Sequence, residues 1–278
     1  MFVKGGFVAV PVGLAAAWLH VPYITHDSDA IPGLANRIIG RWAKLHAVGL
    51  PKEVYNYPAD KTVTVGVPIS DKFKTVTEDA QKAFRRELKL EQYKEVVFVT
   101  GGGLGALRLN ESVAVVAPDL LRTYPKLALL HVVGRDHVAS IQALYDKSLS
   151  MADKSRVVVK GFIDDLYRYS GAADVIISRA SATSLAEFAA QSKACVIIPN
   201  PQLTGGHQTK NAQVLAKTQA AVIVEEKQLA ANPDLLAHEI HKLLDHPAAR
   251  TKLGEQLHNF AQPDATKRLS ELILSIVK

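Results

Sequence analysis

Residues 161–212 read GFIDDLYRYSGAADVIISRASATSLAEFAAQSKACVIIPNPQLTGGHQTKNA. Two runs in it, Val175-Ile176-Ile177 and Cys195-Val196-Ile197-Ile198, have the length and branched-chain content of buried strands, and Leu185, Phe188 and Ala189 recur between them at helical spacing. The stretch is therefore a strand–helix–strand unit. Residues 178–184 are short, small and polar, which fits a loop at the carboxyl end of the first strand feeding a helix amino terminus. Such a terminus presents free backbone N–H groups and the positive end of the helix dipole, a seat for phosphate oxygens. Glu187, one turn further in, can accept hydrogen bonds from sugar hydroxyls. The same text also fits an ordinary helix cap followed by a solvated acid.

Working outward, 278 residues suffice for one large or two medium domains, and 48% apolar with 22% charged residues is ordinary for a globular chain. A net charge of +6 points to anionic company: a nucleotide-sugar diphosphate, a lipid pyrophosphate, an anionic membrane surface or nucleic acid. Nucleic acid ranks last, because aromatics make up only 6% and no RNA- or DNA-binding pattern is present. The single cysteine, Cys195, falls inside an apolar strand, so no disulfide forms within the chain, which fits a reducing cytoplasm. Residues 7–19 imitate a secretory signal behind Lys4, but Gly5, Gly6, Pro11 and Gly13 break that reading. The run is also shorter than the roughly 20 apolar residues a bilayer span needs.

Towards the amino terminus, a strand end and glycine turn are expected at 2–11, a small-residue helix at 12–20 and a strand at 21–25. Pro32 and Gly33 mark a loop, and Asn36 begins a helix carrying Arg37, Arg41 and Lys44 beside Trp42 and Leu45. That face suits a membrane surface, although a solvated charged face is the commoner explanation. Strands follow at 62–67, 95–100, 127–133, 156–160 and 220–224, with helices at 75–90, from Leu107, and through 233–277. GGGLGA at 101–106 lets the backbone approach a phosphate. It also matches the G-x-G-x-x-A of nicotinamide-binding folds, yet the acid expected about 20 residues on is not well placed. Asp119 falls in a helix and Asp136 lies past the next strand.

Phe162 to Asp165 (FIDD), Ala172 to Asp174 (AAD), Ser178 to Phe188 (SRASATSLAEF) and His207 to Ala212 (HQTKNA) resemble, in order and spacing, the carboxyl-terminal donor-binding domain of glycosyltransferase family 28. KGGFVAVPVGLAAAWLHVPYITHDSDAIPGLANR, from Lys4 to Arg37, resembles the second half of that family's amino-terminal domain. The resemblance implies an α/β fold of GT-B type, with two Rossmann-like domains of which the first is incomplete. Residues 1–69 would be the remnant of the acceptor-side domain, 70–262 the UDP-sugar-binding domain, and 263–278 a terminal helix packing back toward the first. By analogy with complete two-domain members, about 90 residues would precede Lys4, or a separate amino-terminal half would supply them. The family's candidate for activating the acceptor lies in that part, so no catalytic residue is assigned.

The resemblance further implies an inverting transfer of N-acetylglucosamine from its UDP carrier to a lipid-linked muramyl pentapeptide. Donor contacts would fall on Gly103, Ile163, Ala182, Thr183, Ser184, Leu185, Ala186, Glu187 and Gln208, with Asp29 and Ser70 at further matching positions. His26, Asp27 and Asn36 would be acceptor-side or structural, and Arg179, His207 and Asn211 supporting. Ser70 stands where the family's hinge carries an arginine, and Gly103 where it usually has serine, so a phosphate contact would be lost or supplied elsewhere. No metal or cofactor is expected, since dipoles and donors can hold the leaving diphosphate, and His207 lacks partners at ligand spacing. The partners would be a nucleotide sugar, a polyprenyl-pyrophosphate lipid and an anionic membrane surface, with the protein cytoplasmic and peripheral on the inner face of the membrane. Two alternatives remain: a family member with another lipid acceptor such as diacylglycerol, or a donor-binding subunit or inactive remnant.

Overall fold

The structure, a computed structural model, describes residues 1–103 and 105–277. Among them the strands form two sheets, all pairings parallel. The first contains β1 (Phe2–Val3), β2 (Ile24–Asp27), β3 (Leu45–Val48) and β4 (Thr62–Thr64), side by side in chain order. The second contains β5 (Glu95–Thr100), β6 (Leu127–Val132), β7 (Val157–Lys160), β8 (Val175–Ser178), β9 (Ala194–Ile197) and β10 (Val222–Ile223), in the order β10-β9-β8-β5-β6-β7.

Helices cover both faces of the second sheet, which is why its strands read as unbroken apolar runs. Successive side chains point to opposite faces, and the core divides accordingly. Val97, Val99, Leu127, Leu129, Val175 and Ile177 pack against the helices Leu107–Thr123, Val138–Ser148 and Asp234–Asp245. Val96, Phe98, Leu130, Ile176, Cys195 and Ile197 pack on the other face, against Leu166–Ala172, Ala182–Ala190 and His207–Lys217. Cys195 is fully buried there, as its apolar neighbours require.

The register aligns Thr100 with Val132 on one side and with Ser178 on the other, so the loops after β5, β6 and β8 leave the sheet at one level. Chain order reverses between β5 and β8. In open parallel sheets, ligand crevices form outside the carboxyl ends of strands at this kind of switch point.

The first sheet departs from the sequence reading. β2 starts at Ile24, later than the strand expected at 21–25, and runs on through His26 and Asp27, which are buried in it. The first helix is Ala9–Trp18, and the next is only Leu34–Ile39, followed by a 3-10 turn, Gly40–Trp42. Arg37, Arg41 and Lys44 consequently do not share one helical face, and Leu45 opens a strand absent from the sequence reading. The carboxyl-terminal helix Ala265–Ser275 packs on this sheet: Leu269 and Ile276 meet Ile24, Ala47 and Val65, and Arg268 Nη2 donates to the Thr64 carbonyl at 2.6 Å. Lys278 lies outside the described residues. Among the described residues, no helix is long and apolar enough to cross a membrane.

Candidate functional site

The loops beyond β5, β7, β8 and β9 enclose a cleft of about 760 Å³ at the switch point. The turn after β5 begins at Gly101, and the Gly102 amide is held by Thr100 Oγ1 at 3.3 Å. Gly102 and Gly103 face open space, so their backbone is accessible to a ligand. Gly105 has φ +76°, and a Cβ there would overlap the Val133 carbonyl oxygen and stand 2.9 Å from Gly134 Cα. Only glycine closes this turn against the neighbouring strand's exit. Leu104, inside the turn, lies outside the described residues.

Ser181 caps the helix after β8 by accepting the Ser184 amide at 3.2 Å. The amides of Ala182 and Thr183, ahead of the first intrahelical bond, have no partner among the described residues. Thr183, Ser184 and Glu187 line the cleft from this helix. Burial lifts the Glu187 carboxyl to about 7, so near neutrality it can exchange between donor and acceptor. Gln208 lines the cleft from the opposite wall, its Oε1 accepting the Asn200 amide at 2.9 Å, which leaves Nε2 to donate. Ile163 and Phe162, from the turn after β7, supply an apolar wall, and the Arg135 guanidinium lies 4.5 Å from the Phe162 ring centre.

The structure thus brings Gly103, Ile163, Thr183, Ser184, Glu187, Gln208 and Arg179 together. It separates others. Leu185 is buried in the core beside Phe188. The side chains of Ala182 and Ala186 face a small gap against Ser28, Gly49 and Val67 of the first sheet's loops, and neither residue lines the cleft. A 100° step per residue explains this: positions 183, 184 and 187 face one way, and 182, 185 and 186 face others. Ser70 is exposed, its hydroxyl accepts the Lys72 amide, and it does not line the cleft. Asp29 does not line the cleft either. It accepts Asn211 Nδ2 at 2.8 Å and stands 3.8 Å from His207 Nδ1.

Asn211 is buried and joins the two halves of the chain. Its Oδ1 accepts the Ala30 amide at 2.8 Å, while Nδ2 donates to Asp29 Oδ1 and, at 2.9 Å, to the Ala180 carbonyl. On the first sheet, His26 Nε2 donates to the Gly66 carbonyl at 3.0 Å, and Lys4 Nζ donates to His26 Nδ1 at 3.0 Å. Burial, with Lys4 adding to it, holds His26 down at about 4, so it is a neutral linker. Asp27 accepts from Asn36 Nδ2 (2.9 Å), the Gly33 amide (3.2 Å) and Tyr57 OH (2.9 Å), and burial raises its carboxyl all the same. These residues order the loop after β2 and do not reach the donor cleft.

Sequence reasoning missed Arg108, Glu226, Asn200 and Gln202, all lining the cleft. Arg108 directly follows the glycine-rich turn and its helix start, a signal available in the text. Its Nη1 lies 3.5 Å from Glu226 Oε2, and Glu226 also pairs with buried Arg179, whose Nη1 donates to the Ile198 carbonyl at 3.0 Å. Arg108 is the more exposed cation, so the cleft has a basic side chain free to turn toward an anion. Among the described residues no three His, Cys, Asp or Glu side chains are grouped to hold a metal ion.

Known proteins resemble this chain in family and in fold. The glycosyltransferase family 28 C-terminal domain matches residues 96–269, and the family's N-terminal domain matches residues 1–48. The UDP-N-acetylglucosamine–N-acetylmuramyl-(pentapeptide) pyrophosphoryl-undecaprenol N-acetylglucosamine transferase of Geobacter sulfurreducens is 32% identical over 278 residues, covering 99% of this chain and 72% of its own length. Its namesake in Listeria monocytogenes is 32% identical over 275 residues, covering 99% and 73%. Among solved structures, MurG of Acinetobacter baumannii superposes with a TM-score of 0.77 at 29% identity, over 99% of this chain and 72% of that one. UDP-GlcNAc 2-epimerase from Neisseria meningitidis, bound to UDP-GlcNAc, shares the fold at TM-score 0.67 and 13% identity, over 99% and 75%.

Proposed function

The chain belongs to glycosyltransferase family 28, and we propose from that membership and from the cleft that it transfers N-acetylglucosamine from UDP-N-acetylglucosamine to a lipid-linked muramyl-peptide acceptor. One observation supports the assignment of the donor site: a helix start whose Thr183 amide is unpaired among the described residues, a glycine turn and a carboxyl that burial raises to about 7 line one cleft. Uracil packs against Ile163. The diphosphate lies on the amide of Thr183 and the backbone of Gly103, with Arg108 turned toward it. The sugar hydroxyls meet Glu187 and Gln208.

In this arrangement the acceptor hydroxyl attacks the anomeric carbon from the face opposite the diphosphate, inverting the centre. The leaving UDP takes the bonding pair, and fixed amide dipoles stabilise the charge that develops on it. The reading calls for neither a metal nor a cofactor, and it assigns no general base. An acceptor anchored in lipid places the enzyme on the inner face of the membrane as a peripheral protein. Phe7 and Trp18, 93% and 80% exposed beside Val8 and Leu19, support contact with such a surface.

Calorimetric titration of wild type and Glu187→Ala with UDP-N-acetylglucosamine and with UDP tests the donor assignment. The variant should bind the sugar nucleotide about 10- to 100-fold more weakly, the ~1–3 kcal/mol of a lost buried hydroxyl pair, with UDP unchanged. Equal affinities for the sugar nucleotide would remove Glu187 from the site.

The elevated carboxyl adds a pH dependence. Sugar hydroxyls donate to the ionised form, so protonation competes with binding below about 7. Sugar-nucleotide affinity relative to UDP should rise from about pH 6 to about pH 8 in wild type and stay flat in Glu187→Gln. Stability runs the other way. With the folded value raised above 4.5, the native state holds the extra proton between 4.5 and about 7, and that stabilisation is lost as pH rises through the window. A wild-type denaturation midpoint that did not fall across it, relative to Glu187→Gln, would contradict the buried acid.

A further inference from the structure

A second, larger cleft of about 1050 Å³ lies between the two halves of the chain, away from the glycine turn. One wall is the flank of the His207–Lys217 helix, with Lys210 and Lys217, and the other carries Arg37, Arg41 and Lys61 from the first sheet's connections. These five cations face a single acid, Glu53, and none of them has a carboxylate within 4.0 Å among the described residues. Like charges collected without partners around a concave surface repel one another, and an anionic ligand relieves that repulsion.

The floor between them is aromatic and rigid. Tyr57 stacks on His46 with ring centres 3.8 Å apart and planes 3° from parallel, and Tyr55 lies parallel beyond it at 6.4 Å. Tyr57 OH is fixed on Asp27, and the Tyr55 hydroxyl accepts the Leu50 amide at 3.2 Å. A rigid floor of ring edges bordered by cations suits a short peptide, whose carboxylates meet the guanidinium and ammonium groups.

Both clefts share one helix. Gln208, in its first turn, faces the donor cleft, and Lys217, at its last residue, faces the basic cleft, about 13 Å apart at 1.5 Å per residue. An extended pentapeptide spans about 17 Å. A muramyl sugar presented to the donor at one end of the helix can therefore lay its peptide along the basic cleft. We propose that this cleft is the subsite for the acceptor's peptide stem, with Arg41 and Lys217, on opposite walls, reading its carboxylates. The inference rests on the acceptor class given above and identifies where the protein distinguishes a peptide-bearing acceptor from a bare sugar.

The test uses lipid-free N-acetylmuramyl-pentapeptide and N-acetylmuramic acid as probes, titrated by calorimetry into the full chain with UDP saturating. Wild type should bind the pentapeptide form at least 10-fold more tightly than the bare sugar, and Arg41→Gln/Lys217→Gln should lose that preference. Arg37→Gln/Lys210→Gln serves as a second pair should the first not fold. The UDP-N-acetylglucosamine titration of each variant should match wild type. Failure of wild type to prefer the peptide form, or an undiminished preference in both variant pairs, would overturn the subsite while leaving the donor reading intact. Failure of wild type to bind the sugar nucleotide would instead strike the donor reading. Loss of binding to phosphatidylglycerol vesicles with peptide preference retained would make the cleft a lipid-surface contact and overturn the proposal.

Discussion

Gly105→Ala should destabilise the chain by about 3 kcal/mol or more and abolish detectable UDP binding. The backbone there has φ +76°, where a side chain costs roughly 1–3 kcal/mol. The new methyl would also overlap the Val133 carbonyl oxygen and press on Gly134 Cα, both backbone atoms that cannot rotate away. Relief requires moving the turn off β6, which takes the Gly102–Gly103 backbone away from the diphosphate. Gly103→Ala is the contrasting case. Its Cβ meets nothing within 4 Å, and the family's usual serine carries the same atom, so stability and nucleotide affinity should both be retained. Urea denaturation and UDP titration of the pair check both expectations, and equal stability of both variants would contradict this account of the turn.

The second large effect is expected at Asn211. Truncation to alanine leaves the Ala30 amide, the Ala180 carbonyl and Asp29 without their buried partner, a loss of about 3 kcal/mol when each group costs roughly 1. Asn211→Asp should do no better, because the side chain must donate to two oxygens and accept one amide. A carboxylate would turn a negative charge on Asp29 and on the Ala180 carbonyl. As the bonds join residues 181 and 182 positions apart, their loss should also broaden the transition or split it in two as the halves uncouple. A single transition at the wild-type midpoint in either variant would show that the clasp is dispensable.

The second sheet was the legible part of this sequence. β5, expected at 95–100, is found at Glu95–Thr100, and the helix expected from Leu107 starts there, because apolar runs bounded by glycine leave little choice of period. The first sheet was harder to read. β3 is four residues, Leu-His-Ala-Val, with a polar residue and a small one in the middle, and its burial comes from the carboxyl-terminal helix and Tyr57, which no local window contains. Arg37, Arg41 and Lys44 have helical spacing, yet the helix stops at Ile39 and a 3-10 turn carries the chain on. At the site, the run 182–187 was readable as a helix start but not as three separate faces, since what covers each face depends on distant loops. Asn211 is readable only as a supporting residue, and its partners at Asp29 and Ala30 are found only in three dimensions.

A crystal structure of the chain with UDP bound tests the central claim most directly. The account predicts uracil against Ile163 and diphosphate oxygens within hydrogen-bond distance of the Thr183 amide and the Gly103 backbone. Nucleotide found instead between Arg41 and Lys217, with that amide facing only solvent, would contradict it.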